Sequence, residues 1–238
     1  MYYSATNLLY KVAKDFCTRD SLRSNNYRHT GIFRKGEGIM PRTPNEKHRK
    51  NKIKKILDSA RLVFYRKGFL NVTMQDVIDE CGISRGGIYL YFNSVDEIFQ
   101  EVIRQRNKER FSIISKAVQE NAPFKDVLNN YIALQKNRLL NIEESLFRAY
   151  CEYIFSKPKG TVLAFRDAQL SHLRKSILSI LMLGVKQKQL QEVGIPRLVD
   201  HFIVTIDGLS VLALGGAMTE DIIEGQLDIL REMIKNLL

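Results

Sequence analysis

The chain has 238 residues, 45% of them hydrophobic and 26% charged, a balance that supports a folded core in one large domain or two smaller ones. Its net charge of +11 is uneven: residues 1–55 hold 14 Lys/Arg and 4 Asp/Glu, a net +10, while residues 56–238 come to +1. Cys17, Cys81, Cys151 and four histidines show no CxxC or HxxxH spacing, so no metal, redox or other cofactor site is expected.

An odd number of scattered thiols fits a reducing cytoplasm better than a disulfide framework. The longest apolar runs fall short of the roughly 20 residues of a membrane span. The opening "MYYSATNLLYKVAKDF" lacks a basic lead followed by a clean apolar core, so no signal peptide is expected.

Residues 1–39 mix Ser, Asn, Arg and Gly without a sustained period and read as disordered. Within them "RKGEGIM" resembles a translated ribosome-binding site, which makes Met40 the expected start of the natural product. The segment "MPRTPNEKHRKNKIKK", residues 40–55, holds seven basic side chains and one acidic, a net +6. Such a run is often only a solvated face; leading directly into a helical unit, it also suits a phosphate-binding arm, with Arg49, Lys50 and Lys52 as its contacts. The expected division is a disordered basic extension over 1–46, a DNA-binding unit over 47–99 and a larger helical unit over 100–238.

From Ile53 the pattern is helical. Ile53, Ile56, Leu57, Ala60, Val63 and Phe64 follow the i, i+3, i+4, i+7 rule, with Arg66 and Lys67 in the last turn and Gly68 as the stop. Thr73 caps a second helix with Asp76 three residues on, Met74, Val77, Ile78 and Cys81 form its inner stripe, and Gly82 closes it. Ser84 caps a very short third helix ending near Tyr91. Ser94 with Glu97 forms another capping box and opens a long fourth helix through Ile98, Phe99, Val102 and Ile103. Five more helices are expected at about 123–141, 143–156, 161–188, 195–215 and 218–237, separated by Pro and Gly breaks. No strand alternation is present, and the predicted fold class is all-α.

Helix 73–81, a tight turn and helix 84–91 make a helix-turn-helix, whose second helix enters the DNA major groove by its N-terminal end. Two adjacent glycines weaken a helix by on the order of 1 kcal/mol each. At this place they let the backbone approach DNA closely. Arg85 carries a fork that matches the O6 and N7 acceptors of guanine, and Tyr89 and Tyr91 can offer hydroxyls to phosphates. Read blandly, the same stretch is a poorly formed turn with core tyrosines.

The run "TMQDVIDECGISRGGIYLYFNSVDEIF" resembles the DNA-binding signature of the tetracycline-repressor (TetR) family of bacterial transcription regulators. The resemblance covers Ile53 to about Phe99. It implies a homodimer with an N-terminal three-helix helix-turn-helix domain and a C-terminal helical domain that binds a small inducer. It also implies roles by position: Thr73 contacts phosphate, Ser84, Arg85, Gly86 and Gly87 lie at the start of the recognition helix, and Tyr89 grips the backbone. Two positions depart from the pattern. Tyr91 stands where histidine is frequent, and Val95 where many members carry a phosphate-reaching lysine.

Beyond residue 100 the resemblance is only one of length and helical character. The last two helices are apolar around much of their circumference, and cover by a second copy would explain it. The expected dimer interface is Phe202, Ile206, Leu209, Ile223, Leu227, Leu230 and Ile234, the alternative being an intrachain core. Candidate ligand contacts are Tyr131, Phe147, Tyr150, Phe165, His172 and Asp207. Asp207, inside an apolar run, answers either a cationic ligand or an arginine of the same chain.

The expectation is therefore a repressor on a palindromic DNA operator, released by a small-molecule inducer. The alternatives are a constitutive or architectural DNA binder and, from another class, a helical enzyme. For the enzyme there is no nucleophile elbow, phosphate loop, metal spacing or informative carboxylate pair.

Overall fold

The structure, a computed structural model, describes residues 44–235; the readings placed on residues 1–39 and on Met40 lie outside the described residues. Among the described residues it is all-α. In chain order the helices are α1 (Pro44–Lys67), α2 (Met74–Cys81), α3 (Arg85–Tyr89), α4 (Val95–Gln119) and α5 (Phe124–Leu140), then α6 (Phe147–Ser156), α7 (Lys159–Lys186), α8 (Ile195–Leu214) and α9 (Glu220–Lys235).

The helix boundaries follow from caps. Gly68 ends α1 with φ +74°, and Gly82 ends α2 with φ +61°, both in the left-handed region that suits glycine. At the start of α2 the Thr73 hydroxyl accepts the Asp76 N–H at 3.2 Å while the Asp76 carboxylate accepts the Thr73 N–H at 2.8 Å. Ser84 caps α3 by accepting the Gly87 N–H at 3.2 Å.

Three expectations need correction. Helix α1 begins at Pro44, nine residues before Ile53. Residues 46–52 are all exposed, so no apolar period marks them; Glu46–Lys50 at 2.9 Å and Lys54–Asp58 at 3.5 Å are i,i+4 pairs that support the helix. Ser94 does accept the Glu97 N–H at 3.2 Å, but the Glu97 carboxylate returns to the Asn93 N–H at 2.8 Å, so the reciprocal box is displaced by one residue. The helix expected at 143–156 divides, because Ile142–Glu144 is a 3-10 turn and Ser145 is extended before α6 begins.

Two cores form. One gathers Ile56, Val63, Phe64, Phe69, Val77, Ile88, Ile98 and Phe99 with Leu146, Ala149, Tyr153, Val162 and Phe165. Thus α6 and the start of α7 pack on the helix-turn-helix unit. At their junction Phe69 lies edge-on to Tyr153 at 4.8 Å and Phe64 edge-on to Phe99 at 4.9 Å, a geometry that favours aromatic pairs. The other core is built by the end of α4 with α5, α7, α8 and α9. Helix α4 belongs to both.

The residues expected at a dimer interface lie in this second core. Phe202, Ile206, Leu209, Ile223, Leu227, Leu230 and Ile234 are all buried within the single chain. An apolar stripe requires cover, and here α5 and α7 supply it. No helix of the described residues is long and apolar enough to cross a membrane.

Candidate nucleic-acid interface and ligand cavity

Helix α3 is five residues long, and its inner side is anchored by Ile88, which is fully buried. Its outer side presents Ser84, Arg85, Gly86 and Tyr89, all exposed. Arg85 makes no hydrogen bond or ion pair among the described residues. Tyr91 is half-buried against the first core and Thr73 is exposed at the head of α2.

The two glycines differ. A Cβ on Gly87 would meet Ile83 Cγ2 at 2.8 Å and Ser84 Oγ at 3.0 Å, so its small size serves the turn inside the protein. A Cβ on Gly86 would meet nothing within 4 Å. Only Gly86 leaves its bare backbone open to a partner. On α1, Arg49, Lys50 and Lys52 are exposed, with Lys50 held by Glu46 at 2.9 Å.

Behind this unit two adjoining cavities open between α4, α5, α7 and α8, of about 80 and 170 Å³. Both are lined by Arg106 and Arg110 of α4 and by Tyr131, Gln135 and Arg138 of α5. The larger adds Phe147, Tyr150, Gln169, His172, Ser176 and Asp207. The smaller adds Tyr65, a residue of α1, and an apolar wall of Ile113, Val127 and Ile180.

Five of the six expected ligand contacts therefore share this space: Tyr131, Phe147, Tyr150, His172 and Asp207. Phe165 does not. It is buried in the first core, edge-on to Tyr153 at 5.4 Å, because its turn of α7 faces α6.

The arginines escaped notice because "RQRNKER" reads as an ordinary solvated charge run. The available signal was the spacing of Arg106 and Arg110 at i,i+4, on the turns just before the apolar Ile113 and Ile114.

Electrostatics in the cavity are dominated by desolvation. Burial and the neighbouring Arg106 push the Arg138 guanidinium down to about 10. Burial, with Arg106 and Arg138 adding to it, lowers Arg110 as well. Burial raises Tyr131 and Tyr150 to about 12, which keeps both hydroxyls neutral donors. Burial also raises the Asp207 carboxyl, partly opposed by Arg138. Arg138 donates to Ser210 Oγ at 2.8 Å and to Gln135 Oε1 at 3.1 Å. It makes no ion pair with Asp207, so the arginine partner considered for that residue acts only through space.

Cys81 is buried and donates weakly to the Ile78 carbonyl at 3.6 Å, while burial pushes the Cys151 thiol up to about 11; neither has the character of a nucleophile.

Comparison with known proteins gives a consistent picture. The family model of bacterial regulatory proteins of the tetR family matches residues 56–102. The chain is 32% identical over 116 residues to the uncharacterised HTH-type transcriptional regulator YfiR of Bacillus subtilis, a match covering 49% of this chain and 56% of that protein. The chain thus spans about half the length of that relative. A TetR-family transcriptional regulator from Agrobacterium tumefaciens superposes with a TM-score of 0.59 at 21% identity, over 79% of this chain and 98% of that one. The transcriptional regulator FadR of Bacillus subtilis, solved in complex with stearoyl-CoA, superposes with a TM-score of 0.57 at 15% identity, over 78% and 99%. At these identities the structural likeness is one of fold.

Proposed function

From a chain that belongs to the TetR family of bacterial regulatory proteins, we propose a cytoplasmic, homodimeric repressor that binds a palindromic operator and leaves it when a small molecule fills the cavity behind the DNA-binding unit. The observation that carries this reading is the outer side of α3. Arg85 is exposed and uncommitted beside Gly86, whose backbone is open to close approach. A guanidinium so placed reads the O6 and N7 edge of guanine, while Thr73, Ser84, Tyr89, Tyr91 and the open backbone at Gly86 meet phosphates, with Gly87 shaping the turn that presents them. Arg49, Lys50 and Lys52 extend the phosphate grip along α1.

Dimerisation is assigned to a face other than the one read from the sequence. On α8, Val204, Gly208 and Val211 follow i, i+4, i+7, with Val204 70% exposed. On α9, Ile222, Gly225 and Ile229 follow i, i+3, i+7 and are exposed too. A Cβ on Gly208 or Gly225 would meet nothing within 4 Å, so both leave room for close helix approach. An isologous contact there pairs two recognition helices about one DNA turn apart.

The ligand reading is supported by the shape of the coupling. Tyr65 of α1 lines one cavity, and α6 lines the other with Phe147 and Tyr150 while Tyr153 packs on Phe69. A ligand that shifts α4 or α6 therefore shifts the helix-turn-helix unit, and weaker operator binding follows by linkage.

The test is selection of fragments from the host genome by the purified chain, followed by a salt series on the best fragment. Expected are a palindromic site and a steep loss of affinity with salt. Arg85→Ala should relax base preference, and Arg49→Ala should weaken binding on all sequences alike. Recovery of no enriched sequence would refute the operator, and equal losses from both variants on every sequence would refute the assigned roles.

A further inference from the structure

Three guanidinium groups line the cavity, those of Arg106, Arg110 and Arg138, against Asp207 inside and the exposed Glu144 at the rim. Arg106 makes no hydrogen bond or ion pair among the described residues, and its Nε is buried without a partner. Guanidinium groups do not shed their charge in proteins, so the cavity presents fixed positive charge to whatever fills it.

We propose that the inducer is an organic anion, an apolar body ending in a carboxylate, phosphate or sulfonate, seated on Arg106, Arg110 and Arg138. The inference rests on the cavity being the ligand site and names the class of ligand it takes. A planar fork binds such an oxyanion by two parallel N–H···O bonds, and the neutral Tyr131 hydroxyl is a further donor on the same wall. Ile113, Val127 and Ile180 offer the apolar body a dry surface. Asp207 is then not the anchor of a cationic ligand. It offsets part of the arginine charge while the cavity holds only water, and it disfavours an anion placed against α8.

The experiment uses the full chain and two fluorescent probes of one ring system, 1-anilinonaphthalene-8-sulfonate and uncharged N-phenyl-1-naphthylamine. The sulfonate should bind saturably at one site per chain and at least roughly tenfold tighter than the uncharged probe. Arg106→Gln removes a group that holds nothing in the chain, so the fold should persist. It should weaken the sulfonate by roughly tenfold and the uncharged probe by less than about twofold. Arg138→Gln should act in the same direction, and Asp207→Asn should leave sulfonate binding unchanged or tighten it. Equal binding of the two probes, insensitive to Arg106→Gln, overturns the anion while leaving the cavity as a ligand site. Binding of the uncharged probe alone, or a loss of sulfonate on Asp207→Asn, also overturns it. Failure of both probes to bind overturns the ligand site itself.

Discussion

Glu152 Oε2 accepts the backbone N–H of Phe69 at 2.6 Å and, from the next residue, that of Leu70 at 3.1 Å. A side chain of α6 thereby holds the turn that follows α1, and Arg148 steadies the carboxylate at 2.9 Å. The same helix lines the cavity through Phe147 and Tyr150. This is a polar link between a helix of the cavity wall and the DNA-binding unit. Burial alone would raise the Glu152 carboxyl, but the N–H donors of Leu70 and Phe69 and the Arg148 guanidinium outweigh it and hold it below its ordinary value of 4.5. Replacing the carboxylate in Glu152→Gln should cost about 1–2 kcal/mol of stability in urea unfolding. Since the folded-state value is depressed, that contribution is fully present above pH 4.5 and lost on acidification. Wild type and variant should therefore converge in stability as the pH falls below 4.5, and a constant difference at every pH would refute the link.

Gly68 lies under the same carboxylate. Its φ of +74° is one that side chains rarely adopt, and a Cβ there would have to displace the Glu152 carboxylate. Gly68→Ala should cost about 2 kcal/mol or more, combining left-handed strain with displacement of Glu152. In the double variant with Glu152→Gln the losses should fall short of additive, because the two sites share one contact. A thermodynamic cycle measures this, and strict additivity would show that the carboxylate does not bear on the glycine.

Gly86 and Gly87 separate folding from recognition. Gly87→Ala drives a methyl into Ile83 and the Ser84 cap and should lower stability by about 1–3 kcal/mol. Gly86→Ala meets no neighbour and should leave stability unchanged or raise it by up to about 1 kcal/mol through helix propensity. Its effect should fall on DNA, where the methyl occupies the space a phosphate or base edge needs. Thermal unfolding and operator titration on the two variants give opposite orders. Unimpaired operator binding by Gly86→Ala would remove the close approach from the recognition mode.

Asp76 gives a second acid-sensitive contact. The Lys67 ammonium at 2.5 Å, then the Thr73 N–H and hydroxyl, hold its carboxyl down to about 2. The ordinary value is 3.8, so the stability gained is present above pH 4 and is lost progressively as the pH falls towards 2. Asp76→Asn should remove about 1 kcal/mol at neutral pH by breaking the capping box. An NMR titration of the Asp76 carboxyl that showed a midpoint near 4 would contradict the arrangement.

Local signals explain how much was readable in the sequence. Gly68, Thr73 with Asp76, Gly82 and Ser84 act within a few residues of themselves, and each cap stands where the sequence indicates. The start of α1 is not readable, since the exposed residues 46–52 carry no apolar period. Tyr131, Phe147, Tyr150, His172 and Asp207 stand out in the sequence as aromatic and polar groups inside apolar runs, and the fold brings them to one cavity. Arg106 and Arg110 line the same cavity without standing out in the sequence, because a charge run does not say which way its helix faces. Phe202, Leu227 and their neighbours show the same limit from the apolar side. A stripe records that it is covered and not by what.

That limit makes the dimer face the decisive prediction. Phe202 and Leu227 are buried in their own chain, so Phe202→Arg should unfold the protein and report nothing about assembly. Gly208 is the informative position, because its Cβ direction is empty in the single chain. Gly208→Arg should keep a native circular dichroism spectrum and an unchanged or slightly higher melting temperature, since arginine favours helix over glycine. In sedimentation it should run as a monomer, because two arginines meeting across a two-fold axis repel and block the approach of α8 to its copy. Losing the second half-site should lower operator affinity by roughly 100-fold or more, the usual gain from linking two binding events. A folded Gly208→Arg that remains dimeric would move the interface off the outer faces of α8 and α9.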